Sequence, residues 1–278
     1  MKLPISVFII TKDEADRVPI AIKSVHGWVD EIVVVDSGST DKTVEVAKEH
    51  GAKTFFNEWQ GYGPQKVFAE GRCRNKWLLN IDADEEISPE LKAEIIEEFT
   101  AGNITLARSV SGNLEISPGY KAYSFVIKDV SRFSGKAGRF SGRHIQLRLY
   151  NSDYAGFKDS AVHDSVVLKK GVNEKIYEFT GWVLHRSFRS YAHAIEKINR
   201  YSTMQAEDMF RRGRRPSAIR LIIEPFLGFL KGYFIKRHFL LGIEGFVEGV
   251  IYAFGRTIRI AKTREIWAIQ DLKKGRKL

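Results

Sequence analysis

The stretch "EIVVVDSGSTDKTVEVAKEHG", residues 31–51, decides the fold. Residues 32–35, Ile-Val-Val-Val, are β-branched and continuously apolar, the pattern of a short strand buried on both faces. A polar turn containing glycine follows, then a helix. Ser39 or Thr40 is placed to cap that helix, Asp41 falls in its first turn, and Gly51 closes it. A buried strand turning into a helix is half of a βαβ unit.

The same alternation continues on both sides. "ISVFIIT" (5–11) reads as a strand, and "DEADRVPIAIKSVHGW" (13–28) has helical spacing in Val18, Ala21, Ile22 and Val25. "AKTFFNE" (52–58) and "KWLLNID" (76–82) read as the third and fourth strands. Strands alternating with helices predict a parallel α/β sheet, whose ligands bind beyond the carboxyl ends of the strands. Thr11–Glu14, Asp36–Asp41 and Asp82–Glu86 all fall at such ends. After residue 100 the order changes. "ITLARSVSGNLEI", "KAYSFVIKDVSRF", "HIQLRLYN" and "SVVLKKG" read as further strands separated by turns, and from Ser190 the pattern is helical.

"LLNIDADEEIS" (78–88) places four acids in five positions: Asp82, Asp84, Glu85 and Glu86. Such crowding costs repulsion unless a cation or a helix start offsets it. A helix start is present in "SPELKAEIIEEF", with Ser88 as N-cap and Pro89 at N1. It accounts for Glu90 better than for Asp82 and Asp84, which lie before the cap. In an extended segment these two side chains point the same way and can hold one hard divalent cation, with a diphosphate completing the oxygen shell. Asp36 at a strand tip can accept hydrogen bonds from a base or ribose; plain turn chemistry covers Ser39, Thr40 and Asp41.

The 278 residues allow one large domain, or one medium domain with an appendage. Cys73 is the single cysteine, which excludes an internal disulfide and a cysteine-built metal site. The N-terminus turns charged without a small-residue cleavage site, so a strand is expected there rather than a signal peptide. No run reaches about 18 consecutive apolar residues, so no conventional membrane span is expected. The net charge of +10 is unevenly placed: residues 1–185 carry −2 and residues 186–278 carry +12. A basic C-terminal third fits a polyanionic surface. No RNP-like, zinc-finger or helix-turn-helix signature accompanies it, so nucleic acid is not expected. "RRGRR" (211–215) and the aromatic, aliphatic stretch from 219 to 260 fit helices lying at an anionic membrane interface. They also fit a helical subdomain with glycines at close helix contacts.

"SVFIITKDE", "EIVVVDSGSTDKT" and "WLLNIDADEEIS", in this order, resemble the family-2 glycosyltransferases of GT-A fold. "RLY" (148–150), "VHD" (162–164) and "LHRSFRSYAHAIEKINRYS" (184–202) extend the resemblance over nearly the whole chain, toward the bacterial lipopolysaccharide core β-glucosyltransferases. The resemblance implies a GT-A domain over 1–188, a mixed sheet flanked by helices, and a basic helical membrane-associating region over 189–278. It implies that Thr11, Glu14 and Asp36 border the nucleotide. Asp82 then lies near the ribose, and Lys66 and Arg72 can give basic contacts to the nucleotide. Asp84 would bind Mg²⁺ or Mn²⁺; His185 would join it on the metal or bind the diphosphate, or else serve as a hydrogen-bonded structural histidine. Asp164, where many members of the branch carry Glu, would be the base of an inverting reaction. Arg143 and Arg148 could face a diphosphate or a phosphorylated acceptor, or form salt bridges at the surface or core edge.

The expected activity is single-sugar transfer from a nucleotide diphosphate sugar, foremost a UDP-sugar, to a lipid-linked or lipopolysaccharide core acceptor. The expected place is the cytoplasmic face of the bacterial inner membrane, as a peripheral protein. The QXXRW motif of processive synthases is absent, which argues against a polymerising enzyme. Two rivals differ in kind. A sugar nucleotidyltransferase would want a glycine-rich basic loop after the first strand, and "TKDEADR" has no glycine. A non-catalytic, membrane-bound nucleotide-sugar sensor would need no base.

Overall fold

A computed structural model of the chain describes residues 2–100, 107–108, 114–115, 120–130, 143–158, 165–173 and 175–275. These fall into two compact units. The first comprises the described residues of Met1–Asp129 and Arg143–Arg186; the second consists mainly of those from Ser187 onward.

The first unit is built on an eight-stranded mixed sheet. Strands β1 (Leu3–Thr11), β2 (Val29–Asp36), β3 (Lys53–Phe56) and β4 (Trp77–Asn80) form its parallel half. Helices α1 (Val18–Val25), α2 (Thr43–Glu49) and α3 (Tyr62–Glu70) connect them. Next come β5 (Glu85–Ile87), α4 (Pro89–Thr100), the short pair β6 (Ala107–Arg108) and β7 (Leu114–Glu115), then β8 (Ala122–Asp129) and β9 (Arg143–Asn151). β10 (Ala155–Phe157) pairs with β11 (Val166–Leu168), and β12 (Ile176–His185) returns to the main sheet. The sheet order is β3-β2-β1-β4-β9-β8-β12-β5. The parallel half follows the strand–helix alternation; the sheet becomes mixed because β9 runs antiparallel to both β4 and β8.

The continuous apolar runs of β1 and β2 follow from burial on both faces. Ile5, Val7 and Ile9 of β1 join Ile32 and Val34 of β2 in one core with α1 and α4. Phe8 and Val33, pointing the other way, join a second core with Ala69 of α3 and Tyr150 of β9. Each of these Ile, Val and Phe side chains contributes about 1.5–3 kcal/mol when fully buried.

Two helix starts were expected from sequence. At α4 the Ser88 hydroxyl accepts from the Leu91 N–H at 3.2 Å, as a cap should. At α2 the expectation needs correction. The helix starts later, at Thr43, and Asp41 supplies the carboxylate that accepts from the Thr43 N–H, 2.9 Å. Ser39 instead donates to Asp36. Gly51 does close α2, with φ of +85°.

The second unit contains α5 (Tyr191–Arg211), α6 (Ala218–Leu230) and α7 (Gly242–Lys273). A π turn at Lys231–Ile235 and a 3₁₀ turn at His238–Leu241 link α6 to α7. Ser190 caps α5 by accepting from the His193 N–H at 2.9 Å. The glycines sit at helix contacts as expected: a Cβ on Gly228 would lie 2.9 Å from Ala253 Cα, so α6 and α7 meet backbone to backbone. Of the "RRGRR" cluster, Arg212 pairs with Asp208 at 2.9 Å and Arg215 pairs with Asp271, and all four arginines remain exposed. Among the described residues, His238–Lys273 is the one helical stretch long and apolar enough to cross a membrane by length and composition. A search for consecutive apolar residues misses it because charges interrupt it.

Candidate active site

The register of the parallel strands assembles the site. Thr11 pairs with Asp36 across β1 and β2, so these two strands end level, and Asn80, the last residue of β4, pairs with Phe8 three residues before the end of β1. The loops beyond them are laced together. Asp13, with φ of +54°, accepts from the Thr40 N–H at 2.7 Å, and its own N–H donates to the Ser39 hydroxyl at 2.8 Å. The Glu14 N–H donates to the Thr43 hydroxyl at 2.7 Å. The hydrogen bond from the Thr40 backbone holds the Asp13 carboxyl below its ordinary range.

Asp36 is buried, and its carboxylate holds its own loop. It accepts from the Gly38 and Ser39 N–H groups at 2.8 and 2.9 Å and from the Ser39 hydroxyl. Turn chemistry therefore accounts for Asp36 as well. Thr11 differs: its hydroxyl is buried at the end of β1 with no hydrogen-bond partner among the described residues.

Asp82 and Asp84 lie in a turn rather than an extended segment. The Glu85 N–H donates to the Asp82 carbonyl at 3.0 Å, and the buried Glu85 carboxylate accepts from the Asp82 N–H at 2.8 Å. The turn sends the two aspartates to different partners. Asp82 meets Lys66 at 3.0 Å and Arg148 at 3.3 Å. Asp84 meets Arg17 at 3.3 Å and His185 at 3.4 Å. Burial opposes both charges. Lys66 and Arg148 outweigh it at Asp82, and His185 and Arg17 outweigh it at Asp84, so both carboxyls sit below their ordinary values. At Glu85 burial prevails over Arg148 and raises the carboxyl. The crowded acids are thus met mainly by the protein's own cations.

Other expected residues take different positions. Lys66 is fully buried, with its ammonium on Asp82 and 5.1 Å from the Phe157 ring, and both contacts are internal. Arg72 is exposed and rests on the rings of Phe68 and Phe55, at 4.4 and 5.6 Å. Glu14 makes a two-point contact with Arg17, 2.6 Å each. Asp164, with His163, and the side chain of Arg143 lie outside the described residues. Three partners were missed from sequence, Arg17, Asn80 and Asp129, and Glu85 was read only as one of the crowded acids. Their signal was weak: Arg17 is an ordinary polar residue at the start of α1, and Asn80 and Asp129 are ordinary polar residues at strand ends.

His185 Nδ1 lies 2.8 Å from Asp129 Oδ1, and Nε2 faces Asp84. Burial alone would lower this imidazole; the hydrogen bonds to Asp129 and Asp84 outweigh it and push it up to about 10. The donor set suits a hard or borderline divalent ion. A carboxylate oxygen and an imidazole nitrogen 3.4 Å apart can serve as neighbouring ligands, and the second ring nitrogen is fixed by a carboxylate. Among the described residues no group of three or more metal-type side chains occurs, so a diphosphate and water would have to supply the remaining ligands.

The sequence profile described as glycosyl transferase family 2 matches residues 6–166, more than half of the chain and all of the site's strand ends up to β9. The chain belongs to glycosyl transferase family 2. Its fold is accordingly GT-A, and its activity that of a glycosyltransferase. An uncharacterized glycosyltransferase of Rickettsia typhi is 42% identical over 94% of this chain and 87% of its own length. The lipopolysaccharide core biosynthesis glycosyltransferase LpsC of Rhizobium meliloti is 31% identical, over 91% of this chain and 90% of its own. Among solved structures, glucosyl-3-phosphoglycerate synthase of Mycobacterium tuberculosis, in complex with Mn²⁺, uridine diphosphate and glucosyl-3-phosphoglycerate, superposes with a TM-score of 0.43 and 18% identity. That match covers 78% of the glycosyltransferase described here and 82% of the synthase.

Proposed function

We propose that this glycosyltransferase moves one sugar, with inversion, from a nucleotide diphosphate sugar, foremost a UDP-sugar, to a lipid-linked or lipopolysaccharide core acceptor. The observation that carries the reading is the pairing of Asp84 with His185 beyond the carboxyl ends of the strands. The name of the Rhizobium meliloti relative supports the acceptor class. The +12 charge of residues 186–278 supports work at the cytoplasmic face of the inner membrane.

In this reading the acceptor hydroxyl attacks the anomeric carbon from the face opposite the diphosphate. The new C–O bond forms as the bond to the diphosphate breaks, and Asp164 takes the hydroxyl proton. Asp84 and His185 would hold a divalent ion, Mg²⁺ or Mn²⁺, which when bound offsets charge on the leaving diphosphate. Lys66 and Arg148 act one layer back, keeping Asp82 ionised and in place. Thr11 borders the nucleotide.

A donor screen tests the reading. Purified protein is given Mg²⁺ or Mn²⁺ with each nucleotide sugar in turn, and slow donor hydrolysis is measured. One donor should be hydrolysed in preference to the rest. Tight donor binding with no turnover on any donor or glycolipid would favour a sensor.

A further inference from the structure

The second unit carries an apolar corner at the α6–α7 junction, where the chain leaves regular α-helix. The backbone passes through the π turn, places Arg237 at φ of +61° and Gly242 at φ of +63°, and then enters α7. Such departures persist where surroundings fix them and often mark functional segments. At this corner Ile235 is 74% exposed and Ile243 77%, with Phe234, Phe239 and Leu240 also exposed. The exposed apolar faces of α6 and α7, with Phe226 on one and Phe246 on the other, continue away from it. Monomeric proteins rarely leave so many large apolar side chains together in water.

Charge identifies the occupant. Residues 225–243 contain Lys231, Lys236 and Arg237 and no aspartate or glutamate. Glu244, at the start of α7, is the one acid beside these three cations, so a second copy of the corner would meet mostly like charge. An anionic bilayer presents negative headgroups to the cations and hydrocarbon to the apolar tips, in that order with depth. "RRGRR" is exposed but contains no apolar side chain, so it can add charge at a lipid surface and cannot insert. The other side of α7 is packed within the unit: Gly249, Ala253 and Ile260 are buried, and Arg256 reaches the buried Glu224 of α6. That side is not available to lipid, which favours a helix lying at the interface over one crossing it.

We infer that the corner formed by residues 231–243 is the element that inserts this protein into an anionic lipid surface. The inference deepens the membrane side of the proposed function, and its test does not depend on transfer. The full-length protein is mixed with vesicles of phosphatidylcholine alone or with about 30% phosphatidylglycerol. The wild type should sediment with the anionic vesicles at least about tenfold more than with neutral ones. Ile235→Glu with Ile243→Glu should weaken binding by about tenfold or more, whereas Arg211→Gln with Arg214→Gln should cost less. A Phe239→Trp protein should show a blue-shifted emission that brominated acyl chains quench.

Donor hydrolysis and thermal melting should be unchanged in these variants, which separates insertion from folding. Three results would overturn the inference: emission of the Phe239→Trp protein that brominated lipid leaves unquenched, undiminished binding of the Ile235→Glu, Ile243→Glu protein, or equal pelleting with both vesicle types. So would a dimer in solution that the same double substitution splits, or resistance of the bound protein to alkaline carbonate. Insertion without any donor hydrolysis would instead count against the proposed reaction and leave this inference standing.

Discussion

Asp129 Oδ1 lies 2.8 Å from His185 Nδ1, and that contact sets which ring nitrogen faces Asp84. A carboxylate on one imidazole nitrogen orients the other and raises its basicity toward a metal. Asp129→Ala should therefore weaken Mn²⁺ binding in the presence of nucleotide diphosphate by about 10- to 100-fold. Asp129→Asn, which keeps an acceptor oxygen, should lose less. Electron paramagnetic resonance of free Mn²⁺ reads the affinity directly. Because His185 holds its proton up to about 10, metal affinity should also rise with pH across the neutral range. A flat pH profile would show that His185 is not a ligand.

Arg148 is buried and touches Asn80, Asp82 and Glu85. Removing one member of such a cluster leaves a buried charge without its counter-ion. Arg148→Leu should cost about 3–5 kcal/mol in urea unfolding. Adding Glu85→Leu should recover part of the loss. Additive effects of the two substitutions would show that the pair is not coupled.

Asp164→Asn should lower turnover by roughly 10²-fold or more while donor affinity stays nearly intact, the pattern of a lost general base. Isothermal titration with the donor and steady-state rates separate the two quantities. If affinity falls as far as turnover, Asp164 supports structure instead.

Glu31 gives a stability test with a definite sign. Burial opposes its charge, but the Arg74 N–H, Lys53 and Ser6 outweigh it and hold the carboxyl below its ordinary value. The folded pKa is thus lower than the unfolded value of about 4.3. Its contribution is present above that value and is lost as pH falls through the folded one. Glu31→Gln should cost about 1–3 kcal/mol at pH 7 and flatten the decline of stability below about pH 4.3. Urea melts at several pH values decide it, and an unchanged acid limb would clear Glu31 of the effect.

The parallel half of the fold was legible because burial on both faces leaves an unmistakable apolar run in β1 and β2. The strand ends followed from it, and with them Thr11, Asp36, Asp82 and Asp84. What those carboxylates touch was not legible. Arg17 and Arg148 are 67 and 64 residues from Asp84 in sequence, and only the sheet order brings them beside it and its neighbour Asp82. The extended reading of Asp82-Ala83-Asp84 failed because Glu85, an acid like its neighbours in the sequence, folds back on the Asp82 N–H. Lys66 read as a basic contact to a ligand because sequence does not reveal that its stem runs through the core.

The ladder between β5 and β12 sets Glu85 opposite His185, joining positions one hundred residues apart. It works as a ruler for the Asp84–His185 pair. Changes of length in the connections between strands leave the spacing of Asp84 and His185 alone, so long as that ladder keeps its register. A one-residue slip within β5 would turn its side chains to the opposite face. For chimeras that exchange acceptor preference, the joints therefore belong in the connections, with residues 82–87 and 183–185 carried over together as a unit.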